Sequence, residues 1–435
     1  MTVDSSDVMA AVMAQKDEAA ALFAALRAGS GGSYGKGVTR DTYGRGEAFA
    51  HQLIADHARR MGLEMHLDHA VNLFMTLPGQ DRHAARLMTG SHLDSVGNGG
   101  NFDGAAGVVA GLIAIRSLQT LGLNPRCDIT TAAIRVEESV WFQVSYIGSR
   151  SAFGMLPPGA LEAKRIDTGR TLADHMRDCG AAVEDVRSGK ASLTAKSIKA
   201  WVELHIEQAP QLVEAGMPVA VGTGVPGNFR YPQVVIRGEY AHVGLPRRFR
   251  RDAVLAASDF AIALDELWKR RDTEGRPMAF TIGRFHTDPG EHALTKVAGE
   301  MSLSLDVRAY DRIDLAQLET DVISLARQVA EQRGVQIDLG SRTSAHVAPS
   351  DPLVVGKLME AAAKLAIPTM RLPSPASHDT ATFAVAGVPT AMLFVRNVNG
   401  SHNPRESMEI DDFLQAVAVL TYWLAAEAGS IAAGQ

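Results

Sequence analysis

The chain is nearly without cysteine: 435 residues carry two, Cys127 and Cys179. Two thiols cannot supply the disulfide framework of a small secreted fold, and such sparse use points to a reducing compartment. Charge of one sign is not concentrated anywhere. The net charge is −6, acids and bases alternate along the chain, and no basic tract offers a footprint for nucleic acid or anionic lipid. No apolar run reaches the roughly 18 residues that suggest a membrane span. The opening stretch MTVDSSDVMAAVMAQKDEAAALFAALRAG carries acids and lacks a basic n-region and a cleavage site. It does not read as a signal peptide, and cytoplasm is the expected location. No internal repeat or low-complexity segment is present. What remains is an ordinary globular composition, 46% hydrophobic and 21% charged, in a chain longer than the ~250–300 residues one core usually serves. Two domains are expected.

The first half alternates helical and strand-like segments. Residues 8–28 and 45–62 place apolar side chains at helical spacing. NLFMTLPG, ARLMTGSHLDSV and DITTAAIRVEES are short apolar runs bounded by Gly, Asn or acids, the mark of buried strands. Residues 104–121, GAAGVVAGLIAIRSLQTL, form a helix rich in small residues that suits close packing on a sheet. The character changes near residue 217. From there the pattern is strand, helix, strand, strand, helix, an α+β unit that ends near Arg333, after which the α/β pattern resumes. The expected fold is α/β: a mixed-sheet domain formed by 1–216 and 334–435, with an α+β sandwich inserted as 217–333.

The chemistry-bearing residues stand where apolar runs meet Gly-rich or polar stretches, which is where α/β proteins place their sites. His92 ends a strand two residues before Asp94, which can orient its imidazole. Asp103 follows GNGG and precedes Gly104; a carboxylate can bridge two cations through separate oxygens. Glu137 and Glu138 are adjacent at a strand end, where paired carboxylates are costly without a cation. Because neighbouring strand residues face opposite ways, Glu138 is read as a ligand and Glu137 as a general base. His205 in WVELHIEQ and His402 in NGSHNP complete a metal set of His92, Asp103, Glu138, His205 and His402. All but His402 have a plainer reading alone: His92 and Asp94 as solvated surface side chains, Asp103 as an Asp-Gly turn or helix cap, the glutamates as a solvated acidic strand end, His205 as a core histidine. Together they present mixed nitrogen and oxygen donors that suit Zn²⁺, Mn²⁺ or Co²⁺.

GSHLDSVGNGGNFDGAAGV, RVEES, ELHIEQAP and GSHNP resemble the di-metal amidohydrolase family of N-carbamoyl-L-amino-acid hydrolases, β-ureidopropionases and allantoate amidohydrolases. The similarity spans roughly residues 40–425. It implies two divalent metal ions, His92 and His205 serving one, Glu138 and His402 the other, and Asp103 bridging. HIEQ separates this branch from related aminopeptidases, which use a carboxylate at that ligand position. The resemblance further implies that the inserted domain dimerises the protein. It implies that His242, in GEYAHVG, reaches the active site of the other subunit to steady the reacting carbonyl oxygen, and that Arg308, in LDVR, binds the substrate carboxylate. Gln208, placed one helical turn from His205, is expected to contact the substrate as well. The implied activity is hydrolysis of a C–N bond in an N-carbamoyl-L-amino acid or similar small amide bearing a carboxylate. Allantoate or ureido-acid hydrolysis and N-acyl amino acid or dipeptide hydrolysis are the alternatives. No nucleic-acid or membrane partner is expected.

Four places depart from the family pattern. Where relatives read EEGSRF, this chain has Glu137-Glu138-Ser139-Val140-Trp141-Phe142, so Trp141 stands in for an arginine. HAGTTPM becomes HVGLPRRF. The asparagine and proline of an Asn-x-x-Pro turn align with Thr295 and Ala298. SGAGHD becomes Ser374-Pro375-Ala376-Ser377-His378-Asp379. Trp141 and Thr295 therefore join the expected substrate-binding residues. Trp141 and the arginines at 247, 248, 250 and 251 suggest an aromatic or more acidic substrate.

Overall fold

The short apolar runs of the first half form strands, and in the computed structural model they assemble with three later strands into an eight-stranded mixed sheet. The structure describes residues 4–30, 36–429 and 431–432. The strand order is Glu64–Leu67, Leu73–Leu77, Ile129–Ile134, Arg86–His92, Ile198–Ile206, Thr390–Val395, Val219–Gly222 and Thr369–Leu372. The four central strands, Ile129–Ile134 through Thr390–Val395, are mutually parallel. The others introduce antiparallel pairings at Leu73–Leu77 and Val219–Gly222. Parallel strands need helical crossovers that cover the sheet faces, so these strands are buried almost throughout.

One face packs Leu87, Val202, Leu204 and Leu393 against the helices Ala105–Thr120 and Ile410–Glu427. On the other, Trp201 stacks on Phe383 with ring centroids 4.0 Å apart and donates its indole N–H to Thr380 Oγ1 at 2.9 Å. The Ala105–Thr120 helix lies very close to the sheet. A Cβ on Gly107 would sit 2.3 Å from the Leu204 carbonyl oxygen, so only glycine permits this approach.

The chain divides into two compact units, Met1–Val225 with Ser350–Gln435, and Pro226–Pro349. These limits differ from 217 and 333. Val219–Gly222 pairs with Thr390–Val395 and Thr369–Leu372 and so belongs to the large sheet. Gln336–Asp338 and Thr343–Ala345 pair with Gly227–Arg237 and so belong to the second unit. That unit has an antiparallel sheet ordered Met278–Thr287, Glu300–Ala309, Gly227–Arg237, Gln336–Asp338. Burial alternates strictly along Glu300–Ala309. The inward residues Met301, Leu303, Leu305 and Val307 share a core with Phe260 and Leu264 of the helix Ala253–Thr273 and Leu318 and Val322 of the helix Arg312–Arg333. Among the described residues no helix is long and apolar enough to cross a membrane.

Candidate metal centre

The four central parallel strands all deliver a candidate ligand at or beyond their carboxyl ends. His92 is the last residue of Arg86–His92 and His205 lies one residue from the end of Ile198–Ile206. Glu138 follows Ile129–Ile134, and His402 sits at φ 60 in the loop after Thr390–Val395. Register explains the meeting of the two strand histidines. Gly90 pairs with Glu203, so two residues on, in parallel, His92 comes beside His205. Their rings lie with centroids 5.7 Å apart.

Asp103 sits between the two halves, and its carboxylate oxygens divide between them. Oδ1 is 3.4 Å from His92 Nε2 and 3.3 Å from His205 Nε2. Oδ2 is 3.5 Å from His402 Nε2, and that nitrogen is 3.3 Å from Glu138 Oε1. The donors thus form two overlapping groups, His92–Asp103–His205 and Asp103–Glu138–His402, within each of which the ligand atoms lie within 4.8 Å of one another.

Close approach at this point depends on Gly104, which caps the Ala105–Thr120 helix at φ 64 and ψ −48. Its N–H donates to His205 Nε2 at 3.1 Å. A Cβ there would fall 2.5 Å from the His92 ring. His92 is held from behind: Nδ1 faces the Asp94 carbonyl oxygen at 3.0 Å and Asp94 Oδ1 at 3.2 Å. The Asp94 carboxylate also accepts from the backbone N–H groups of Glu137 at 3.1 Å and Glu138 at 3.3 Å, and from Thr42 Oγ1 at 2.7 Å. One buried carboxylate therefore fixes the end of the His92 strand and the loop that carries the two glutamates together.

The electrostatics of these side chains fit a bound cation. Hydrogen bonds donated to the Asp103 and Glu138 carboxylates lift His402 to about 11. Burial opposes charge on His92 and His205, yet the facing carboxylates outweigh it and raise both. Burial, with repulsion from Glu138 added to it, pushes the half-buried Glu137 carboxyl well above the usual range, although the His92 charge opposes this. Each imidazole is drawn toward a positive state by carboxylates that burial has stripped of water. A divalent ion at the same place meets that demand with the imidazoles neutral, the state in which they ligate. Asp103 Oδ2 is further steadied by Gln208 Nε2 at 2.7 Å and by Ser401 Oγ.

The structure corrects the placement of Gln208 and shows the surroundings of Trp141. Gln208 is not one helical turn beyond His205: Ile198–Ile206 is a strand, and Gln208 lies in the following loop at φ 65 with its amide on Asp103. Trp141 is 3% exposed, donates its indole N–H to the Ser95 carbonyl at 3.0 Å, and is covered by the Arg165 guanidinium at 4.7 Å from the ring centroid. Its surface is already taken by the protein. His242, Thr295 and Arg308 fold with the second unit. There exposed His242 accepts from Gly244 N–H at 3.0 Å, Val243 N–H bonds the Thr295 carbonyl at 2.9 Å, and Arg308 Nε meets Asp306 at 3.0 Å.

Arg40 and Glu406 escaped the sequence reading, and Glu203 and His378 stood in quoted motifs without a role. Arg40, fully buried, donates to the carbonyls of Leu93, Asn101 and Asp103 and to Asn101 Oδ1, so it shapes the loop that carries Asp103. Glu406 Oε1 accepts from Phe102 N–H at 2.8 Å and Asp103 N–H at 3.3 Å, while Oε2 takes Ser401 Oγ at 2.7 Å. On the sheet side, Glu203 takes Ser91 Oγ at 2.7 Å and Thr380 N–H at 2.8 Å. His378 lies with its ring centroid 4.4 Å from that of His205. A buried arginine and a buried glutamate near a ligand were visible as residue types, but nothing local marked them.

Comparison with known proteins gives a consistent picture. Residues 88–426 match the family described as Peptidase family M20/M25/M40. The chain is 33% identical over 400 residues to an N-carbamoyl-L-amino acid amidohydrolase of Geobacillus stearothermophilus, covering 90% of this chain and 94% of the relative. It is 31% identical over 391 residues to an allantoate amidohydrolase of Escherichia coli (strain K12), covering 89% and 92%. The crystal structure of a hydantoinase/carbamoylase family amidase from Burkholderia ambifaria superposes with a TM-score of 0.82 at 27% identity, covering 96% of this chain and 98% of that one.

Proposed function

The chain belongs to Peptidase family M20/M25/M40, and from that premise we propose that it is a two-metal amidohydrolase that cleaves a non-peptide C–N bond in an N-carbamoyl-L-amino acid or a similar small amide bearing a carboxylate. The observation that carries this reading is the divided carboxylate of Asp103, with one oxygen toward His92 and His205 and the other toward His402 beside Glu138. The two similar amidohydrolases, one of carbamoyl amino acids and one of allantoate, supply the substrate class.

His92, Asp103 and His205 would hold one divalent ion, and Asp103, Glu138 and His402 a second; Zn²⁺, Mn²⁺ and Co²⁺ suit this donor set. Such ions supply Lewis acidity, lowering the pKa of water and polarising an amide carbonyl. Asp94 and Glu406 keep the ligands aimed through the bonds described above. Glu137, beside Glu138 in the loop that follows Ile129–Ile134, takes a proton from the attacking water and returns it to the leaving nitrogen. His242, contributed by a second subunit, donates to the developing oxyanion, and Arg308 pairs with the substrate carboxylate through parallel hydrogen bonds. These last two roles, with Thr295 nearby, rest on the resemblance of GEYAHVG and LDVR to the family. They go with a homodimer formed through the inserted unit and a cytoplasmic enzyme.

The similarity to allantoate amidohydrolase favours a ureido acid as the second reading. Turnover by the Mn²⁺-, Co²⁺- and Zn²⁺-loaded protein decides between them, read as ammonia from carbamoyl-L-amino acids, carbamoyl-β-alanine and allantoate, and as free amino acid from N-acyl amino acids and dipeptides. Turnover confined to dipeptides or N-acyl amino acids refutes the carbamoyl and ureido readings alike.

A further inference from the structure

Tyr43, Val71 and Val136 come from three separate segments, and each has a left-handed backbone, with φ 45, 56 and 58. Bulky and β-branched residues rarely adopt that region, and they stay in it only where their surroundings hold them. All three meet one buried ion pair, in which Arg135 donates from Nη1 to Glu47 Oε2 at 2.9 Å. The same Glu47 oxygen accepts from the Tyr43 N–H at 2.7 Å, and Oε1 accepts from the Val136 N–H at 3.2 Å. Arg135 Nε donates to the Val71 carbonyl at 3.2 Å. A single pair thus ties down the backbone of all three residues.

Val136 immediately precedes Glu137. Along an extended strand successive side chains alternate between faces. The left-handed turn at Val136 breaks that alternation just after the chain leaves Ile129–Ile134. The next two N–H groups, of Glu137 and Glu138, go to Asp94 at 3.1 and 3.3 Å, so three consecutive amides are taken by two buried carboxylates. On the carbonyl side, Val136 accepts from the Ile147 N–H at 2.9 Å and Glu137 from the Tyr146 N–H at 3.2 Å. Asp94 also holds His92, so its loss would disturb a metal ligand directly. Glu47 is different: its bonds go to Tyr43, Arg135 and Val136, and none goes to a ligand candidate.

We propose that the buried Glu47–Arg135 pair positions the general base. By holding Val136 left-handed, it sets the direction in which Glu137 leaves the strand and lets adjacent residues serve as proton carrier and metal ligand. Neither Glu47 nor Arg135 touches the reacting atoms; both act through Glu137. The proposal rests on the reading of Glu137 as the general base.

Glu47→Gln, Glu137→Gln and the double variant test it, assayed as full-length, metal-loaded protein on N-carbamoyl-L-amino acids and allantoate. A displacement of about 1 Å at a reacting centre costs on the order of 100-fold in rate, so Glu47→Gln should lower kcat by about tenfold or more. KM, and metal content by mass spectrometry, should stay at their wild-type values. In the Glu137→Gln background the same change should leave the residual kcat within about twofold, because Glu47 acts through Glu137. A merely structural role would lower kcat alike in both backgrounds, and that result overturns the proposal. Loss of metal from Glu47→Gln overturns it too. Should Glu47→Gln fail to fold, Arg135→Lys decides by the same readings, since lysine keeps the charge but cannot bond both Glu47 and Val71 with a planar fork. Full activity in Glu137→Gln, or no turnover of either substrate class, overturns the reaction reading and this proposal with it. A slow Glu137→Gln beside an unimpaired Glu47→Gln overturns this proposal alone.

Discussion

Replacing Gly104 with alanine tests the geometry of the metal centre without removing a ligand. Gly104 has φ 64 and ψ −48, a conformation that costs a residue with a Cβ about 1–3 kcal/mol. The added methyl would lie 2.5 Å from His92 Cε1 and 2.6 Å from both Cδ2 and Nδ1. Carbon contacts settle at roughly 3.5–4.0 Å, so the ring must retreat by about 1 Å. It has little room to do so, because Asp94 holds Nδ1 from behind at 3.0 Å and the ring is 1% exposed. A shift of that size at a reacting centre costs on the order of 100-fold in rate. Gly216→Ala is the matched control: φ is again 64, but nothing lies within 4 Å of its Cβ. It should cost about 1 kcal/mol of stability and leave the metal centre untouched. Metal content by mass spectrometry, kcat at saturating metal and Tm by calorimetry separate the two variants. Gly104→Ala with full metal content and wild-type kcat would refute the packing argument.

Glu137→Gln should keep its metal content and KM while kcat falls roughly 10²–10⁴-fold, measured by ammonia release, because only the proton carrier is lost. Glu406→Gln turns an acceptor of the Phe102 and Asp103 N–H groups into a partial donor; metal titration should show binding weakened about 10–100-fold. Chelation should lower Tm and stoichiometric metal restore it, since an ion present at a hundred times its Kd contributes about 2.7 kcal/mol to the folded state.

The metal half of the site was legible in the sequence because each ligand stands at the edge of an apolar run, and strand ends are marked by just that change in composition. Gly104, adjacent to Asp103, was equally visible. What failed was whatever depended on register or on contacts between distant residues. WVELHIEQ was read with a helical turn after His205, although Trp201, Val202, Leu204 and Ile206 also suit a strand buried on both faces; hydrogen bonds to Arg86–His92 and Thr390–Val395 decide it. Val219–Gly222 looked like the start of the insertion because its β-branched residues resemble those that follow, and pairing alone assigns it to the large sheet. Trp141 was expected at the substrate because it replaces an arginine. Its indole instead found an internal acceptor on Ser95, which lies on another segment. Arg40 and Glu406 reach Asp103 from opposite ends of the chain, and no local pattern records such a meeting.

The central claim is that Asp103 bridges two metal ions, and anomalous diffraction from crystals grown with Zn²⁺ or Mn²⁺ tests it most directly. The account predicts two peaks per chain, one among His92, Asp103 and His205 and the other among Asp103, Glu138 and His402. One peak, or a pair to which Asp103 gives a single oxygen, would contradict it.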